Sequence, residues 1–128
     1  MPRYQSYAPV VLRLGLVFVF AWFGTSQIMN PREWTALVPS WALSISGMGA
    51  LTIVHLNGYF EVVAAILLAL GLFVRPIAVL LFIHLAVIAS HFGLSPIGVR
   101  DIGLSLATLS LALFGADEYC LSHREPSA

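Results

Sequence analysis

The feature that most restricts the fold is a long apolar run with a single acid inside it. Residues 57–76 read NGYFEVVAAILLALGLFVRP, with Glu61 near the start and Arg75 and Pro76 at the end. About 20 apolar residues are enough for a helix to cross a bilayer. A carboxylate inside such a helix is costly in lipid and normally faces protein or water. The run therefore predicts a membrane-spanning helix whose Glu61 side points into a bundle.

The helical neighbours of Glu61 support that orientation. Three and four residues away from it lie the small or polar residues Asn57, Gly58, Ala64 and Ala65. Small residues let helices approach closely in a membrane, so this face is expected to meet other helices. The other faces carry Val, Ile, Leu and Phe, which suit lipid.

The composition of the whole chain agrees with an integral membrane protein. Of its 128 residues, 59% are hydrophobic and 9% are charged, whereas soluble domains carry about 25% charged residues. The formal net charge is zero and no basic patch is present, which excludes a nucleic-acid partner. One cysteine, Cys120, excludes an internal disulfide and a Cys-x-x-Cys redox centre.

The apolar runs predict an all-α, four-helix bundle in the lipid bilayer. We expect one transmembrane domain over residues 1–128, with spans at about 8–27, 52–73, 77–92 and 97–114 and a polar tail at 119–128. Residues 34–54 are interrupted by Pro, Ser and Gly, and they contain Trp34 and Trp41, which are typical of the headgroup region. This stretch is predicted to be interfacial or re-entrant. A fifth span here is the alternative, and it would place the two termini on opposite sides.

The arginines predict the orientation. With four spans, both termini share one side of the membrane. That side collects Arg3, Arg13, Arg75 and Arg124, and the other side has Arg32 and Arg100. The positive-inside rule then places both termini in the cytoplasm of a multi-pass plasma-membrane protein.

Charged residues within the spans are the candidate site. Asp101 shares a small, polar helix face with Gly98 and Ser105, directly after Arg100. If the second span begins near His55, Glu61 lies roughly 9 Å deep and Arg100 about 4–5 Å deep. We therefore expect a Glu61–Arg100 ion pair with Asp101 as a second acid beside it.

Two interpretations of these charges stay open, and both can hold. A buried ion pair can serve only to fix helix order and register. Alternatively, the charges line a polar pocket that opens to the outer face. The pocket candidates are Glu61, Arg100, Asp101, Gln27, Asn57 and His91. Arg13 is a further candidate, but it comes from the inner end and is expected to snorkel to the cytoplasmic surface unless the second span starts earlier.

The histidines and short motifs give little support to a metal or haem. His84 and His91 lie on nearly one face of the third span, and one helix cannot readily supply both axial ligands of a haem iron. His91 with Glu61 or Asp101 has no metal-ligand spacing signature, so no metal site is predicted. No phosphate-binding loop, nucleophile elbow or HExxH motif is visible.

The pattern resembles the DoxX-like family of small four-helix membrane proteins. The first span has LRLG at 12–15 and FG at 23–24; the second has NGYFE at 57–61, LALGL at 68–72 and Arg75; the fourth has RDIGL at 100–104, LSL at 109–111 and Gly115. The resemblance runs from about Val11 to Leu121. It implies a relation to the small subunit of a thiosulfate:quinone oxidoreductase and to membrane partners of redox and oxidative-stress complexes.

Two functional hypotheses follow. In the first, the chain is a membrane subunit of a redox system, and its pocket binds a quinone headgroup or a small anion. Arg100 would donate a hydrogen bond there, and Glu61 would orient Arg100 or relay a proton. In the second, the chain is a non-catalytic scaffold or a small-solute binding or transport protein whose charges hold the bundle together. A redox protein and a second copy of the chain are the candidate protein partners.

Overall fold

The computed structural model describes residues 3–121, and its regular structure is helical. The elements are α1 (Arg3–Met29), a 3-10 helix (Pro31–Leu37), α2 (Ser40–Ser46), α3 (Ala50–Leu70), α4 (Val74–Phe92) and α5 (Pro96–Phe114). The helices α1, α3, α4 and α5 are long and apolar enough to cross a membrane. The expected all-α membrane bundle is confirmed.

Tight turns join α3 to α4 and α4 to α5, so these consecutive helices run antiparallel. α3 ends at Gly71, whose φ of 72° is left-handed and therefore suits glycine. α5 begins after Ser95, whose hydroxyl accepts a hydrogen bond from the Gly98 N–H, and Pro96 occupies the first helical position. We call the end where α1 starts and α5 stops the proximal end. The distal end is where α1 stops and α3 starts.

The long helices form two closely packed pairs. α1 packs mainly against α3, and α4 packs mainly against α5, with fewer close backbone contacts between the pairs. Gly24 and Gly58 lie at the α1–α3 crossing, where a Cβ added to Gly24 would lie 2.9 Å from the Gly58 carbonyl oxygen. The missing side chains allow this approach of the two backbones. The looser boundary between the pairs is where side chains meet.

An apolar core fills the proximal half of that boundary. It contains fully or almost fully buried side chains from every long helix, namely Leu16, Phe20, Leu68, Leu81 and Leu111. The outward faces are also apolar, with Val63, Ile83 and Leu106 among the exposed residues. An apolar exterior is what lipid requires of a spanning bundle.

The connecting segment, residues 30–49, covers the distal end and contains two short helices. The 3-10 helix and α2 have seven residues each. A seven-residue α-helix is about 10 Å long, whereas the hydrocarbon layer is about 30 Å thick. The alternative of a fifth span in this stretch is therefore wrong. The 3-10 helix packs against both α1 and α3.

Candidate functional site

A buried carboxylate lies between the helix pairs, near the middle of the bundle. Glu61 is 5% exposed. Gln27 of α1 donates a hydrogen bond to its Oε2 over 3.1 Å, and Asn57, one turn earlier on α3, donates to its Oε1 over 3.2 Å. The Asn57 amide also donates to Gln27 Oε1 over 2.6 Å. The three side chains form a closed triangle, which we call the Glu61 triangle, and it holds the carboxylate in one orientation.

An imidazole from the other helix pair faces this triangle. His84 Nε2 of α4 lies 3.6 Å from Glu61 Oε1, which is longer than a hydrogen bond. Nε2 is buried and has no hydrogen-bond partner among the described residues. The ring packs edge-on against Phe60, with the centroids 5.1 Å apart. Functional hydrogen bonds are often long before a ligand binds, so a small shift would join this imidazole to the carboxylate.

A cavity of about 250 Å³ lies beside Glu61 and His84. Its walls come from all four long helices and from the connecting segment. The aromatic lining residues are Phe20, Phe23, Trp34, Trp41 and Phe92, and the polar and charged ones are Gln27, Asn57, Glu61, His84, Arg100 and Asp101. A mainly apolar cavity with a few convergent polar groups is the usual form of a small-molecule site.

A cation and a second acid lie on the α5 side of the cavity. Arg100 Nε donates to Asp101 Oδ1 over 3.1 Å. The guanidinium carbon of Arg100 also lies 4.9 Å from the centre of the Phe23 ring. The Asp101 side chain is 5% exposed and the Arg100 side chain 44% exposed. Arg100 thus bridges α5 and α1 while its charge is balanced by its own neighbour.

The expected Glu61–Arg100 ion pair is not formed. α3 begins at Ala50, so Glu61 lies about 16 Å along its helix, far deeper than a start near His55 implied. Arg100 lies only about 6 Å along α5, counted from Pro96. The depth difference is about twice the predicted one, and the Arg100 guanidinium turns to Asp101 instead. Glu61 receives amide hydrogen bonds in place of a cation.

Arg13 does not snorkel to the surface, and it does not reach Glu61 either, although α3 starts earlier than expected. Arg13 is 3% exposed, and its Nε donates to Asp117 Oδ2 over 2.8 Å. Its Nη1 donates to the carbonyl oxygens of Leu68 and Ala69 over 2.6 and 3.1 Å. Those carbonyls belong to the last turn of α3, where intrahelical donors run out, and the Leu68 carbonyl also accepts the Gly71 N–H over 3.1 Å. Arg13 therefore joins α1, α3 and the chain after α5 at the proximal end, away from the cavity.

The pKa values of Asp117 and Cys120, both at the proximal end, are shifted from their ordinary values. Burial alone would raise the pKa of Asp117, but hydrogen bonds from Arg13 and from the Tyr119 N–H outweigh it and lower that pKa below its ordinary value. Burial raises the pKa of the Cys120 thiol. Asp117 is therefore held as a carboxylate and Cys120 as an unreactive thiol.

The structure brings together most, but not all, of the site candidates. Glu61, Asn57, Arg100 and Asp101 line the cavity, as does Gln27. Two candidates do not: Arg13 lies at the proximal end, and His91 is exposed and is absent from the cavity lining. His84, two turns before His91 on the same face of α4, takes that place.

Two residues are missing from the list of predicted site residues: His84, which lines the cavity, and Asp117, which pairs with Arg13 outside it. His84 lies at the level of Glu61 because α3 and α4 run antiparallel from a shared turn. Counting residues along both helices from Gly71 could have predicted that the two side chains lie at the same depth. Asp117 follows the end of α5 and has no periodic relation to Arg13. Among residues 3–121, no three His, Cys, Asp or Glu side chains are grouped as a metal site.

Comparison with models of known protein families identifies the family of this chain. The DoxX family model matches residues 8–94, which is more than half of the chain. This chain belongs to the DoxX family. The match includes the Glu61 triangle and His84 but stops before α5, so Arg100, Asp101 and Asp117 lie outside it. No curated protein and no solved structure matches this DoxX chain.

Proposed function

We propose that this DoxX protein is a membrane subunit of a quinone-linked redox system and that it binds a quinone ring in the cavity between its two helix pairs. The observation that carries the proposal is the Glu61 triangle, with the imidazole of His84, at the wall of an aromatic-lined cavity. The resemblance to small subunits of quinone-reducing complexes points in the same direction.

The cavity suits a flat ring with polar atoms at its edge. Its volume of about 250 Å³ is near the lower end of small-molecule sites, which begin at about 300 Å³. Phe23, Trp34 and Trp41 supply faces and edges for ring packing, an arrangement that favours aromatic ligands. The fit therefore favours the headgroup alone, with any isoprenoid tail left in the lipid.

The polar residues would bind and protonate that ring. A bound quinone takes up two electrons and two protons to become a quinol, and the electrons come from a partner redox protein. Arg100 donates hydrogen bonds to a carbonyl oxygen at the α5 side of the cavity. Glu61, in its protonated form, would give one proton from Oε1, and His84, as imidazolium, would give the second from Nε2, either directly or by reprotonating Glu61. A carboxylate and an imidazole beside a mainly apolar cavity are suited to such transfers.

The same proposal includes an orientation in the plasma membrane. The described residues start, at Arg3, and stop, at Leu121, at the proximal end, where Arg3 and Arg75 are exposed. The proximal end also has Arg13, whereas the distal end has Arg32 and Arg100. The positive-inside rule then favours cytoplasmic termini and a cavity in the outer half of the membrane. We expect a C-terminal alkaline phosphatase fusion to be inactive and a C-terminal green fluorescent protein fusion to be fluorescent.

A thermal-shift series tests quinone binding. Detergent-purified wild type is heated with short-chain ubiquinone and menaquinone analogues, and a ligand of the folded state raises the melting temperature. We expect a shift in wild type that is lost in Glu61→Gln and in Ile88→Phe, which fills the cavity. Glu118→Gln is the matched control, because Glu118 is exposed at the proximal end. Equal shifts in all four proteins would refute binding at this cavity.

A structural role is the second candidate, and the Arg13–Asp117 pair favours it. That pair lies outside the cavity and ties three parts of the chain together. If the Glu61 triangle serves the same purpose, the protein is a scaffold for a partner or for a second copy. Glu61→Gln would then lower the melting temperature, and no ligand would shift wild type.

A further inference from the structure

The cavity wall has an unbalanced charge. Four groups around it are titratable: Glu61 on α3, His84 on α4, and Arg100 and Asp101 on α5; the lining residue Gln27 on α1 is neutral. Arg100 and Asp101 balance each other at 3.1 Å. Glu61 receives hydrogen bonds from two neutral amides and has no Arg partner among the described residues. With a neutral imidazole, the wall carries one net negative charge inside the membrane.

An ionised carboxylate in this position requires compensation. Burial of a charge is expensive unless a countercharge or a proton accompanies it. Among residues 3–121, only a proton on His84 or on Glu61 itself can provide it. A ligand that brings its own positive charge would provide it as well, and the cavity has room for one beside the carboxylate.

The aromatic walls suit such a ligand. Cations bind to the faces of Trp, Tyr and Phe rings, and quaternary ammonium groups are held in this way by aromatic cages. Trp34, Trp41, Phe20 and Phe92 line the cavity together with Phe23. Phe23 already holds a cation, since the Arg100 guanidinium lies 4.9 Å from its ring centre.

We propose that the cavity also binds small monovalent organic cations, such as quaternary or protonated amines with an apolar body, with Glu61 as the counter-ion and the tryptophans as the aromatic wall. This inference rests on the same cavity as the quinone proposal but not on quinone chemistry. A cation of this class would compete with a neutral ring ligand for the space.

The test compares a permanent cation with its neutral isostere. Benzyltrimethylammonium and neopentylbenzene have the same shape and differ in charge. Binding is measured by tryptophan fluorescence in a Trp22→Phe background in non-ionic detergent, because Trp34 and Trp41, the two remaining tryptophans, both line the cavity. We expect the cation to bind about tenfold more tightly than the isostere, since a cation–aromatic contact and a counter-ion each favour it.

Variants then assign the preference to Glu61. Glu61→Gln should abolish the preference, Glu118→Gln should retain it, and His84→Gln should retain or increase it by removing the competing proton site. Equal binding of the two probes by the Trp22→Phe protein would overturn the proposal, and this comparison requires no change to a residue that lines the cavity. A preference that survives in a folded Glu61→Gln protein would also overturn it. If the cation binds but no quinone raises the melting temperature, the quinone proposal is refuted and the cation proposal is retained.

Discussion

Removal of the Asp117 carboxylate should destabilise the protein severely, because it would leave the Arg13 charge buried. The Arg13 and Asp117 side chains are 3% and 2% exposed, so they form a buried ion pair. A surface ion pair, by contrast, contributes only about 0–1 kcal/mol to the free energy of unfolding. Breaking a buried pair typically costs about 3–5 kcal/mol. Arg13 would keep the Leu68 and Ala69 carbonyls as partners. We therefore expect Asp117→Asn to cost about 3 kcal/mol, the lower end of that range.

The assay is reversible unfolding in mixed micelles as the fraction of SDS increases. Glu118→Gln, the exposed neighbouring acid, is the control and should change the free energy of unfolding by less than about 0.5 kcal/mol. The double variant Arg13→Met/Asp117→Asn should lose less stability than the sum of the losses in the two single variants, because Arg13→Met removes the charge that Asp117→Asn leaves uncompensated. A loss below about 1 kcal/mol for Asp117→Asn would refute the reasoning, because it would place the pair among solvent-screened ones.

Three further predictions concern other parts of the bundle. Gly24→Ala should destabilise the protein by about 1–3 kcal/mol, because its Cβ would lie 2.9 Å from the Gly58 carbonyl oxygen; Gly15→Ala, which has open space around it, should be neutral or stabilising in the same unfolding assay. Cys120 should resist N-ethylmaleimide in the folded protein and react after denaturation, because it is buried and its thiol pKa is raised; rapid labelling of the folded state would contradict this. The pKa of Asp117 lies below its ordinary value of 3.8. The ionised carboxylate therefore stabilises the folded protein above pH 3.8, and this stabilisation is lost as the pH falls through the lowered pKa. The melting temperature of wild type should consequently drop more steeply below about pH 4 than that of Asp117→Asn.

The bundle and the direction of its polar faces could be predicted from local sequence. Apolar run length gives the number of spans, since each must cover the hydrocarbon layer. The small residues around Glu61 predicted that this side chain faces inward, and it is buried. The connecting segment was recognisable because Pro39 and several glycines interrupt its apolar stretch.

The pairing of charges could not be predicted in the same way. The partner of Glu61 depended on where α3 begins, and a shift of five residues moved the carboxylate by about 7.5 Å along the helix axis. Arg100 has an acid as its direct neighbour, so a long flexible side chain could satisfy itself without crossing the bundle. Asp117 contacts Arg13 because the chain turns back after Gly115. The helical periodicity of the sequence does not predict such a turn.

Photo-crosslinking with an azidoquinone tests the central claim most directly, because it reports where the ring binds. The reconstituted protein is irradiated with the probe, digested and mapped by mass spectrometry, with Glu61→Gln treated in parallel. A ring in the cavity should label peptides that contain Trp34, Trp41 and His84–Phe92, and labelling should fall in the variant and in the presence of excess unlabelled quinone. Labelling confined to lipid-facing residues such as Phe18 and Leu106, equal in both proteins, would contradict a quinone site between the helix pairs.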